Sequence, residues 1–145
     1  MALNLIKLCV GADSIEDLQS WIDERMAAKR KRGDKPEHIH ITRMTPKRIE
    51  ALLDGGSLYW VIRGQVSARQ ALKAVRPFTD GDGVGRCELV LEPRVRPVLP
   101  RPFRPFQGWR YLEVKDAPPD LSPHLGDVAH MPETMRRELR GLGLI

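Results

Sequence analysis

Residues 65–91 read QVSARQALKAVRPFTDGDGVGRCELVL, and whether their first half is strand or helix decides the fold. Val66, Ala68, Gln70, Leu72 and Ala74 alternate as on a strand, while Ala68, Ala71, Leu72 and Val75 also share one face of a helix. We read Gln65 to Phe78 as a strand, with the helix as the alternative. The residues that follow favour the strand. Asp80-Gly81-Asp82-Gly83 is rich in turn formers and leads into the strand-like Cys87 to Leu91, and strand, glycine-rich turn, strand is a hairpin signature.

Working outward, Leu58 to Arg63 holds Leu58, Tyr59, Trp60, Val61 and Ile62, all strand formers, and predicts the neighbour of that hairpin. Leu3 to Val10, an apolar run interrupted by Asn4 and Lys7, reads as a mostly buried first strand ending at Gly11. In His38 to Thr42 two histidines alternate with two isoleucines, which places His38 and His40 on one face of a half-exposed strand and Ile39 and Ile41 on the other. Three helices are predicted. The first is capped by Asp13 or Ser14, buries Ile15, Leu18, Ile22 and Met26 with Trp21 widening the stripe, and stops at Gly33. Thr45 caps the second, with Pro46 in its first turn, Ile49, Leu52 and Leu53 inward, and Gly55-Gly56 at its end. The third runs from about Pro132 to Arg140. The expected fold is α+β: a mainly antiparallel sheet with three flanking helices.

A chain of 145 residues makes one domain, taken here as 1–145. With 41% hydrophobic and 30% charged residues it has a soluble composition, and its apolar runs fall short of the roughly 20 residues that a membrane span needs. No basic leader or small-residue cleavage site marks Met1 to Val10 as a signal peptide. Cys9 and Cys87, both in apolar runs, are expected to be buried free thiols in a reducing cytoplasm.

The net charge of +5 favours polyanionic partners. Between Pro93 and Leu112, Arg94, Arg96, Arg101, Arg104 and Arg110 occur with no acid among them, interleaved with Phe103, Phe106, Trp109 and Tyr111 and stiffened by Pro97, Pro100, Pro102 and Pro105. Guanidinium groups bind phosphate in a fork geometry and exposed rings give bases a stacking surface, so the segment reads as a nucleic-acid-facing arm. Tyr59, Trp60, Arg63, Arg69 and Gln70 on adjacent strands would join Phe106, Trp109 and Arg110 in a shallow aromatic pocket with a cationic rim. The plainer reading is that one of Tyr59 and Trp60 faces the core and that Phe106 and Trp109 close one end of the sheet. Two further basic clusters are Arg25 with Lys29 to Arg32 and Lys35, which reads as the solvated end of the first helix, and Arg43 with Lys47 and Arg48.

Catalytic motifs are incomplete. His38 and His40 could face one zinc ion, but nothing in the spacing selects a third ligand from His124, His130, Asp54 or a cysteine, so we expect solvated strand histidines, no metal and no cofactor. His40-Ile41-Thr42 matches half of the paired His-x-Thr pattern of two-histidine phosphoesterases, whose second copy is missing. There is no Gly-x-Ser-x-Gly elbow, and Gly81, Gly83 and Gly85 lie in a hairpin turn without the lysine of a phosphate loop.

Four segments carry a family resemblance: residues 5–11 (LIKLCVG), 42–48 (TRMTPKR), 52–62 (LLDGGSLYWVI) and 104–112 (RPFQGWRYL). Together they resemble a compact bacterial family of unknown function that covers nearly the whole chain and brings no established activity, substrate or catalytic residue. The order of a Tyr-Trp strand, a hairpin and a proline-rich stretch before a last aromatic strand also resembles the PUA-like small barrels. That likeness implies a barrel that binds RNA or a flipped base at its edge.

The function expected from these readings is cytoplasmic nucleic-acid binding, RNA ahead of DNA, without a membrane. Arg101, Arg104 and Arg110 would neutralise phosphates and Trp109 or Phe106 would stack on a base. The alternatives are an enzyme acting on a phosphate-containing substrate with His38 or His40 as acid-base group, and a protein-interaction module docking through Leu142, Leu144 and Ile145.

Overall fold

The computed structural model describes residues 3–104 and 106–121. Among them are seven strands and two α-helices: β1 (Leu3–Leu8), α1 (Ile15–Arg32), β2 (His38–Thr42), α2 (Ile49–Leu53), β3 (Ser57–Ile62), β4 (Gln65–Thr79), β5 (Gly85–Leu91), β6 (Arg96–Pro102) and β7 (Trp109–Glu113). The ambiguous segment is strand throughout. Its alternation was blurred by two register shifts, between Val66 and Ala68 and between Leu72 and Ala74. Each extra residue turns the following side chains to the other face, so Val66 joins one core while Ala68, Leu72 and Val75 join the other.

The strands form a mixed, mostly antiparallel sheet in the order β2-β5-β4-β3-β1-β7, with β6 also paired to β4. Only β1 and β3 run parallel. Residues 85–102 return antiparallel along the whole of β4, first as β5 and then, after a kink at residues 92–95, as β6. Two glutamines stitch the kink: Gln19 Nε2 donates to the Pro93 carbonyl while its Oε1 accepts from the Val95 N–H, and Gln70 Nε2 donates to the Glu92 carbonyl. Arg63 and Gly64, both at positive φ (51° and 78°), make the two-residue β3–β4 turn, whose left-handed pair matches the twist of the flanking strands.

Both sheet faces are covered. On one, Leu18, Ile22 and Met26 of α1 and Leu52 of α2 pack against Leu3, Leu5, Trp60, Leu89 and Trp109. On the other, Ile6, Tyr59, Val61, Val98 and Leu112 lie beneath Phe103 and Phe106. The sheet is open, and no strand pairing among the described residues closes it into the barrel that the PUA-like resemblance implied. The third helix, expected over Pro132 to Arg140, lies outside the described residues. No helix among the described residues is long and apolar enough to cross a membrane.

Local chemistry sets the boundaries. Ser14 Oγ accepts the Asp17 N–H at the start of α1, and Gly33 ends it at φ 77°. Thr45 does not cap α2. That helix starts at Ile49, and the Tyr111 hydroxyl from β7 accepts the N–H groups of Lys47 and Arg48 at 2.9 and 3.1 Å. Gly56 follows, where a Cβ would lie 2.1 Å from the Leu3 carbonyl oxygen, so no larger residue fits. Trp21 is not core: it is 48% exposed. Cys87 is fully buried, but Cys9 is only half-buried.

Candidate functional site

The proline-rich segment is not a free arm. Its first half is β6, at the side of the sheet where proline's missing N–H does least harm, and its second half is a strap across the sheet face. The rings of this strap are its anchors. Phe106 is buried in the second core with Phe103 beside it at 5.4 Å between ring centroids, and the Arg110 guanidinium lies over the Phe106 ring at 4.8 Å. Trp109 is buried on the opposite face, where its Nε1 donates to the Met44 carbonyl at 2.7 Å. Base stacking on Phe106 or Trp109 therefore has no exposed ring to use.

The arginines face the other way. Arg94, Arg96, Arg101, Arg104 and Arg110 are all exposed, and none forms an ion pair with a carboxylate among the described residues. Arg101 spends one N–H on the Asp116 carbonyl. Arg69 is different: its Nε and Nη2 donate to the two Asp120 oxygens at 2.6 and 2.7 Å and its Nη1 to Ser57 Oγ. That pairing holds the Asp120 carboxyl below its ordinary value and takes up the Nε/Nη2 fork with which Arg69 would grip a phosphate. Arg63 stands at its turn, 3.8 Å from Asp13.

Tyr59 and Trp60 face opposite cores and are both buried. Trp60 Nε1 donates to Gln70 Oε1 at 2.8 Å, and Gln70 is fully buried. The pocket expected from these residues together with Phe106 and Trp109 is thus split between two sides of the sheet.

A different cavity, of about 310 Å³, opens beside the carboxyl end of β1. Lys7, Cys9, Ala12, Leu18, Trp21, His40, Ile41 and Trp60 contribute to its wall, with no acid among the described lining residues. Lys7 is placed there by register: it lies between Trp60 of β3 and Trp109 of β7 and faces the helix side. It makes no ion pair among the described residues. The indole walls are fixed, Trp60 by Gln70 and Trp21 by the Arg25 guanidinium 4.3 Å from its ring.

The histidines were expected to be solvated, and the structure reverses that face of β2. His38 is buried, His40 is half-buried against Trp60 with ring centroids 5.2 Å apart, and Ile41 is 52% exposed. Burial pushes both imidazoles down to about 4, helped at His38 by Arg25 and Lys29 and at His40 by Lys7. His40 Nε2 is buried without a hydrogen-bond partner among the described residues. His38 lines a separate cleft with Arg25, Lys29, Glu37 and Glu88. Among the described residues no three His, Cys, Asp or Glu side chains are grouped to hold a metal ion. His124, His130, Leu142, Leu144 and Ile145 lie outside the described residues.

Sequence reasoning treated Lys7 only as an interruption in an apolar strand, and that interruption was the available signal. A charged residue on the inward face of an otherwise buried strand needs a local reason, here a cavity.

No curated protein and no solved structure matched the chain. One family model, described as a protein of unknown function (DUF1489), matches residues 5–145, and the chain belongs to that family.

Proposed function

We propose that this protein binds nucleic acid through the phosphate backbone, with Arg101 of β6, Arg104 of the strap and Arg110 at the start of β7 as its principal contacts. The observation that carries this reading is that the segment turns Phe103, Phe106 and Trp109 inward and its guanidinium groups outward, exposed and without carboxylate partners among the described residues. Phosphate contacts of this kind set affinity and register but do not read bases. RNA stands ahead of DNA on the strand-order resemblance alone. A cytoplasmic setting agrees with free Cys9 and Cys87.

The test is the salt dependence of binding to a single-stranded oligoribonucleotide, with duplex DNA as competitor. Each phosphate neutralised contributes about 0.7 to 0.9 to the slope of log affinity against log salt, so replacing the three arginines by alanine should lower that slope by about 2 to 3. Binding that ignores salt, or a slope unchanged in the triple variant, overturns the proposal.

A second reading, an enzyme acting on a phosphate-containing substrate, draws support from one observation: His40, whose buried Nε2 has no hydrogen-bond partner among the described residues, contributes to the wall of a cavity that Lys7 also lines. An imidazole neutral at pH 7 serves there as a base or hydrogen-bonding group rather than as an acid.

A further inference from the structure

The cavity holds an imbalance of charge. Lys7 lines it without an ion-pair partner among the described residues, and no acid occurs among its described lining residues. A cation at the wall of a mostly apolar cavity is one of the few polar groups that orient a ligand there, and it favours an anionic one. Apart from His40 the rest of the lining is apolar. Trp60 and Trp21 line it with their indoles, and Val10, Trp21 and Ile41 leave an exposed apolar rim at 92%, 48% and 52% of their surface. The location fits as well, since the cavity lies outside the carboxyl ends of the parallel pair β1 and β3, where crevices of open sheets receive ligands.

We propose that this cavity binds a compact aromatic acid, a single flat ring carrying a carboxylate or phosphate. The ring packs on the exposed Trp21 indole and the apolar rim, and the anionic group meets Lys7. The cavity's 310 Å³ stands near the lower end of the roughly 300 to 1,000 Å³ typical of ligand pockets, which suits one ring and excludes an extended polymer. The walls are held before any ligand arrives, because Gln70 fixes Trp60 and Arg25 steadies Trp21. The site is on the helix side of the sheet, away from the strap that covers the opposite side, and it does not depend on nucleic-acid binding. It shares its location with the enzyme reading but requires no turnover.

The full chain is titrated with benzoate and with phenyl phosphate while the indole N–H signal of Trp60 and the imidazole signals of His40 are followed by NMR. Benzamide and acetate serve as the neutral ring and the ringless acid. The expected result is saturable shifts with one or both aromatic acids and binding at least about tenfold weaker for benzamide and acetate. Lys7→Met should remove the preference for acids over benzamide. Trp21→Ala, an exposed position, should weaken every aromatic probe without unfolding the protein. Binding of phenyl phosphate without release of inorganic phosphate supports the site and counts against the enzyme reading alone. Absence of saturation by either acid up to about 10 mM, or equal binding of benzamide, overturns the proposal.

Discussion

Gln70 is an amide with no access to water, and both of its ends are in use: Oε1 accepts from Trp60 and Nε2 donates to the Glu92 carbonyl. One side chain therefore ties β3, β4 and the β5–β6 kink together. Gln70→Leu keeps the volume but strands a buried indole N–H and a backbone carbonyl, which should cost about 2 to 4 kcal/mol in urea denaturation. Combining it with Trp60→Phe removes the orphaned indole donor, so the double variant should lose less than the sum of the singles. Additive losses would mean that the two side chains are not coupled. Sequence alternation placed Gln70 beside the Tyr-Trp strand correctly. It could not tell a rim amide from a buried positioning group, because a polar residue on a strand reads as solvent-facing until the covering layer is known.

The same contrast between pattern and covering layer recurs in whole elements. On the strap, Phe106 and Trp109 are structural, so Phe106→Ala or Trp109→Ala should lower stability by about 3 to 5 kcal/mol, whereas Arg104→Ala should stay within about 0.5 kcal/mol while still weakening polyanion binding. Guanidinium denaturation of the three variants checks this, and an alanine at Phe106 that leaves the midpoint in place would show that the strap is not anchored there. The composition of residues 93–112 was legible, but not the direction of each ring. Alternation gives two faces without saying which is buried, and this sheet buries both. For β2 the histidine and isoleucine faces were separated correctly and then assigned the wrong way round, since hydrophobicity favours isoleucine inside. Helix α1 was legible from its cap to its terminal glycine because its buried positions Leu18, Ile22 and Met26 repeat at helical spacing. Only Trp21 misled, since Arg25 and the cavity keep it at the surface.

Across the molecule these placements set an acid profile in two stages. His38 and His40 titrate at about 4 in the folded state against an ordinary 6.5. A group with a depressed folded value takes its proton first in the unfolded chain, so folding free energy is complete above 6.5, falls as the pH drops toward 4, and loses nothing more from these groups below that. A displacement of that size corresponds to about 3 kcal/mol for one histidine, and because the two imidazoles also disfavour each other's charge their joint effect is not twice that. The carboxylates act lower down. Glu37 held by Arg76, Asp80 by Arg86 and Asp120 by Arg69 all lie below their ordinary values, so their stabilisation is present above those values and disappears as the pH falls through the depressed ones. Stability should decline first through the histidine window and then again in stronger acid. Replacing both histidines by glutamine should flatten the first stage and leave the second, with urea midpoints measured across the range as the readout. A variant that keeps the upper slope would place these imidazoles in water and remove His40 from the cavity wall. Aromatic acid bound at Lys7 would offset the positive field there and draw the His40 titration back toward 6.5, so the same profile recorded with saturating benzoate should show a smaller first stage.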